Sequence, residues 1–166
     1  MLRSESRLGV DIGRVLIDDA SHPSGDDTSF IRGTEDDVLE TPQMAGAFDA
    51  LTELCSVLDG RVWLVSKCRA RVQARTERWL EHHRFFPITG IDPSHVRFCI
   101  ERADKAPICA ELGITHFVDD RVDVLGYLVG VVPHLFLFAS EGQPVPEFAI
   151  ATPDWHEAKQ RILASL

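Results

Sequence analysis

An aspartate inside an apolar run is the first residue of this chain that demands a chemical explanation. Asp11 sits among Leu8, Val10, Ile12, Val15 and Leu16, and an ionised carboxylate in such surroundings needs a partner, of which a metal ion is one. Further on, Ser66 ends the apolar run Val62-Trp63-Leu64-Val65, and Lys105 stands at the start of a helical stretch. The pair Asp119-Asp120 ends the run from Ile114 to Val118, with Asp123 just beyond. A carboxylate, a hydroxyl, a lysine and an acidic pair, in that order, form a set suited to phosphate chemistry. Each has a plainer explanation when taken alone. Ser66 also fits a strand-ending cap, Lys105 a solvated helix residue, and Asp119-Asp120 a helix N-cap pair. Asp11 is the hardest to explain that way.

The elements that must position these residues alternate between short apolar runs and amphipathic helices. Leu8 to Ile17 reads as a buried strand ending in a turn. An acidic segment follows, and Thr41-Pro42 has the form of a helix start whose inward face is Met44, Phe48, Leu51, Leu54 and Leu58. Val62 to Ser66 is a second strand. A helix from about Arg69 to His83 follows, carrying Val72, Thr76, Trp79 and Leu80 inward. Val96 to Ile100 gives a third strand, and Asp104 caps a short helix that Gly113 stops. Ile114 to Val118 is a fourth strand, Val122 to Leu128 a helix, and Val131 to Phe138 a fifth strand. Thr152-Pro153 repeats the Thr-Pro start for a C-terminal helix over about 153–166. Parallel strands need crossover connections, so this alternation predicts an α/β fold. The expected architecture is a three-layer, Rossmann-like parallel sheet of about five strands, with helices on both faces and no cap domain, in a single domain over 1–166.

Composition limits the partners. The 166 residues carry 17 basic and 26 acidic side chains, a net charge of −9, which argues against nucleic acid and against an anionic membrane surface. Between Asp18 and Glu40 lie eight acids and one base, Arg32, so most of the excess is concentrated there. No apolar run reaches the length of a bilayer span. Cys55, Cys68, Cys99 and Cys109 form no C-x-x-C pair, and we expect a cytoplasmic protein whose reduced thiols serve as small core residues.

From Leu8 to Phe138 the chain resembles the haloacid dehalogenase-like superfamily of phosphatases and phosphotransferases. The matching segments are L-G-V-D-I-G-R-V-L around Asp11, W-L-V-S with Ser66, R-A-D-K-A-P with Lys105, and H-F-V-D-D-R-V-D with Asp119 and Asp120. The resemblance implies that Asp11 is the nucleophile, forming an aspartyl-phosphate, and that Ser66 and Lys105 hold the phosphoryl oxygens. It further implies Mg²⁺ bound by Asp11, the Gly13 carbonyl and an acidic-pair carboxylate. Asp120 is the best match for that ligand, with Asp119 and Asp123 as outer or water-mediated ones.

One position departs from the family pattern. Its phosphatases carry a second aspartate two residues after the nucleophile, which protonates the leaving group and then activates water. Here that position is Gly13, and general acid–base help is worth typically 10²–10⁴-fold. Three readings follow. His22, Asp18 or Asp19 could take over the proton work, whereas Arg14 is permanently protonated and cannot. The enzyme could instead act on substrates with good leaving groups, such as acyl phosphates. Or the chain is a degenerate member that binds metal and a phosphorylated ligand, or a protein partner, without turnover.

Family caps are inserted after the first strand or before the lysine motif. The first gap here, Asp18 to Thr41, is a flap of about 24 residues, and the second is Glu101 to Asp104. The site should therefore be open. An acidic flap disfavours polyanions, leaving a small phosphorylated metabolite or a protein phosphate as the expected substrate. Arg71, Arg75 and Arg78 share one helix face, read as solvated or as pairing with the acidic flap of another protomer in a homodimer. His82-His83 has no metal spacing and is given no role.

Overall fold

Apolar strand residues that alternate between two faces, with both faces buried, explain why the strands read as continuous hydrophobic runs. The computed structural model describes residues 5–18 and 33–166. Its six strands are β1 (Leu8–Val10), β2 (Val62–Lys67), β3 (Val96–Cys99), β4 (His116–Asp119), β5 (His134–Phe138) and β6 (Ile150–Thr152). All neighbours are parallel, in the order β3-β2-β1-β4-β5-β6. The helices are α1 (Glu35–Glu40), α2 (Ala47–Val57), α3 (Ala70–His82), α4 (Phe85–Thr89), α5 (Lys105–Leu112), α6 (Val122–Leu128) and α7 (Trp155–Ser165). Leu8, Val10, Val62, Leu64, Val118 and Phe136 join the core built with α2, α3, α4 and α7. Trp63, Val65, Phe117, Leu135 and Leu137 face the other way, into a core with Cys109 of α5 and Leu125 and Leu128 of α6. The three-layer α/β architecture is the expected one, and no cap domain occurs among the described residues.

Several local expectations are corrected. β1 stops at Val10, and residues 12–17 fold into a tight turn in which the Leu16 and Ile17 amides both donate to the Ile12 carbonyl. Arg14 at φ 59° breaks the extended run. Neither Thr-Pro pair starts a helix. The residue before a proline is driven out of the helical region, so Thr41 closes α1, while α2 begins five residues after Pro42, behind Gly46 at φ 76°. Thr152 is the last residue of the unforeseen sixth strand, and Asp154 caps α7 by accepting from the Glu157 amide.

Most of the acidic flap, including Asp19 and His22, lies outside the described residues. Its end is α1, whose capping box pairs Thr34 with Asp37. This helix corrects the solvated-face reading of α3 at Arg75, while Arg71 and Arg78 are exposed as that reading expects. Arg75 is buried and its Nε lies 3.4 Å from Glu35, while Arg78 reaches the same carboxylate at 2.8 Å. The acidic segment and the arginine helix thus pair within one chain. His83, on the same side, bonds the Leu39 carbonyl through Nε2 at 2.7 Å.

Gly9 is required by a close approach. A Cβ there would lie 2.5 Å from the Phe117 ring, which is fully buried. Gly9→Ala should cost about 1–3 kcal/mol through overpacking, read as a lowered urea midpoint, and an unchanged midpoint would contradict this. At the start of β4, His116 stacks on His134 with centroids 4.4 Å apart. Burial, then the neighbouring imidazole, lowers its pKa from 6.5 to about 4. The neutral ring is the folded form, so its contribution is present above pH 6.5 and is lost as pH falls to about 4. His116→Phe should flatten the stability profile across that window.

Candidate active site

The order of the strands fixes where the polar side chains meet. The chain runs outward from β1 to β2 and β3, then crosses to β4 on the other side of β1, so a switch point lies at the C-terminal ends of β1 and β4, where α/β sheets bind ligands. Asp11 follows β1 and Asp119 ends β4. The Asp11 amide donates to the Val118 carbonyl at 3.0 Å, which ties the residue to β4 by main chain.

Between the two aspartates stands Lys105, the first residue of α5, 2% exposed. Its Nζ donates to Asp11 Oδ1 and to Asp119 Oδ2, both at 2.8 Å. It also lies over the Phe117 ring, 5.5 Å from the centroid, so the ring that requires Gly9 also lines the lysine's seat. A 3-10 turn, Arg102–Asp104, with a Glu101–Asp104 capping box, delivers the lysine to this point. Burial disfavours the ammonium, yet the carboxylates of Asp11 and Asp119 outweigh it and raise the Lys105 pKa. Asp119 is fully buried, and burial followed by the Asp11 charge pushes its pKa up to about 7 against the opposing pull of Lys105.

The remaining sequence-predicted residues divide cleanly. Asp11, Gly13, Ser66, Lys105 and Asp120 line one cleft. Asp119 lies behind it, with Oδ1 accepting from the Arg121 amide at 3.0 Å and Oδ2 held by Lys105. Asp123 is turned away, taking Arg121 at 3.1 Å and Arg102 at 3.8 Å. Neither aspartate is the N-cap residue of α6, which is Arg121, although Asp119 accepts from the Arg121 amide. Asp11, Asp119 and Asp120 each offer a carboxylate oxygen within 4.8 Å of the others. Such hard oxygen donors fit a magnesium-sized cation. Both oxygens of Asp119 accept from protein donors, Lys105 Nζ and the Arg121 amide, while Asp11, Gly13 and Asp120 line the cleft itself. Lys67, Cys68, Arg102 and Arg121 also line the cleft, with Val72 and Thr76 of α3. These the sequence reading missed. Lys67 follows Ser66 directly, and its position next to a strand-end hydroxyl was the available signal.

No protein-family model matches the chain, and no curated protein matches it. Solved structures do. A haloacid dehalogenase-like family hydrolase from Xanthomonas campestris superposes with a TM-score of 0.66 at 12% identity, over 96% of this chain and 95% of the other. A protein assigned as a haloacid dehalogenase-like hydrolase from Burkholderia xenovorans LB400 gives 0.62 at 11% identity, over 96% and 98%. The fold is therefore the one these hydrolases share.

Lys105→Met would leave two carboxylates facing each other without their cation. Removing one partner of a buried ion pair costs about 3–5 kcal/mol, so the variant should unfold at clearly lower urea than the parent. A loss below about 1 kcal/mol would mean that the lysine does not organise the site.

Proposed function

We propose that the protein is a magnesium-dependent phosphohydrolase working through an aspartyl-phosphate at Asp11. The observation that carries this reading is Lys105 bridging Asp11 and Asp119 at 2.8 Å on each side, at the rim of a cleft that Ser66 and Asp120 complete. Asp11 attacks phosphorus with the oxygen not engaged by the lysine. Lys105 stays charged, holds Asp11 in place, and offsets the repulsion between a carboxylate and an anionic phosphoryl group. Ser66 donates its hydroxyl to a phosphoryl oxygen. Asp119 fixes the lysine through one oxygen and the Arg121 amide through the other. Magnesium held by Asp11, Asp120 and the Gly13 carbonyl would supply positive charge to the same phosphoryl oxygens.

The substrate is a small phosphorylated metabolite or a protein phosphate, since the acidic net charge disfavours a nucleic acid. A second reading has its own observation. Gly13 offers no acid or base, which favours a protein that binds metal and a phosphorylated ligand without turnover. Beryllium fluoride separates the two, because only the enzyme should trap it at Asp11.

With Mg²⁺ present, phosphate should be released from p-nitrophenyl phosphate or acetyl phosphate, and Asp11→Asn should abolish it. Ser66→Ala should lower kcat by roughly 10²-fold, the typical effect of removing one such donor. A folded, magnesium-bound protein that releases no phosphate and traps no fluoride would establish the binding reading instead.

A further inference from the structure

Gly13 is open ground. A Cβ built there meets nothing within 4 Å, and Gly13 is not among the glycines with positive φ. Neither crowding nor backbone conformation therefore explains why no acidic side chain occupies this wall of the cleft. Lys67 lies one residue beyond Ser66 in the same strand and lines the same cleft. It is exposed and makes no ion pair among the described residues. Arg102 lines the cleft as well, while Val72 of α3 and Val124 of α6 supply apolar wall.

Resting on the phosphohydrolase reading, we infer that the substrate is an acyl phosphate, whose leaving group departs as a carboxylate and is received by Lys67. In the first step an Asp11 oxygen bonds to phosphorus, the bond from phosphorus to the bridging oxygen breaks, and that oxygen keeps the electron pair. A carboxylate leaves as the stable anion at neutral pH, so no proton donor is needed at position 13. An alkoxide would need one. The intermediate on Asp11 is itself an acyl phosphate. Water then bonds to phosphorus, Asp11 departs as a carboxylate, and the water proton passes to a phosphoryl oxygen to give dihydrogen phosphate. Both halves expel the same kind of anion, and neither uses an acid on the leaving group. Lys67 supplies positive charge where the first carboxylate develops, and the apolar wall takes the acyl body.

The test is kcat/KM with Mg²⁺ for acetyl phosphate, for aryl phosphates whose phenols span a range of acidity, and for glycerol phosphate. Asp11→Asn, Lys67→Met and Gly13→Asp are measured alongside. The expected result is a steep fall with leaving-group basicity, with glycerol phosphate at least about 10²-fold below acetyl phosphate. Gly13→Asp should flatten that slope by raising ester hydrolysis. Lys67→Met should lower kcat/KM on acetyl phosphate and weaken inhibition by acetate. The wild-type slope needs no variant, so a misfolded substitution leaves the main test intact. Asp11-dependent release that is equally fast for glycerol phosphate would overturn the inference and leave the phosphohydrolase reading standing. A steep slope unaffected by Lys67→Met would remove Lys67 from it. No Asp11-dependent release from any substrate would overturn both.

Discussion

Everything at the end of this sheet depends on one buried cation. Lys105 holds Asp11 and Asp119 together at hydrogen-bond distance in a place that water barely reaches. Two carboxylates so close repel each other, and burial disfavours the charge on Asp119. The lysine relieves that conflict, and it is itself kept charged by the two groups it joins. The sheet order places β1 beside β4, the register brings Asp11 and Asp119 to adjacent strand ends, and the turn before α5 sets the lysine between them. The packing behind it is equally constrained, since Phe117 fills the space left by Gly9 and presents its ring to Lys105.

The pairing also distributes roles within the acidic pair. Asp119, with a protein donor on each oxygen, is a positioning residue for Lys105. Asp120 lines the cleft with Asp11 and Gly13. Asp123 serves the surface, holding the side chains of Arg102 and Arg121. Three aspartates within five positions thus sit in three different settings.

Much of this was legible because burial on both sheet faces writes strands as apolar runs, and because a polar residue at the end of such a run stands out. Asp11, Ser66 and Asp119-Asp120 were found that way, and Val122–Leu128 came out as the helix it is. What was not legible depends on contacts between distant segments. β6 is three residues long and half exposed at the sheet edge, so it leaves almost no pattern. The Thr-Pro pairs fit a helix-start rule, but the stronger local force is the restriction that proline places on the residue before it. Arg75 looked like a surface charge because nothing in α3 reveals that Glu35, 40 positions earlier, covers it. Lys67 and Arg102 acquire meaning only once β2 and the turn before α5 face one cleft.

Gly13 ties the site's geometry to its chemistry. In the proposed phosphohydrolase Asp11 is the nucleophile and Ser66 and Lys105 serve the phosphoryl group, while position 13 brings no side chain that could handle a proton. The most direct measurement is mass spectrometry of the protein acid-quenched during incubation with Mg²⁺ and acetyl phosphate. The account predicts a hydroxylamine-labile phosphoryl group on the peptide containing Asp11. Phosphate release with a phosphoryl group on Ser66, or with none on Asp11 under conditions that slow the second step, would contradict it.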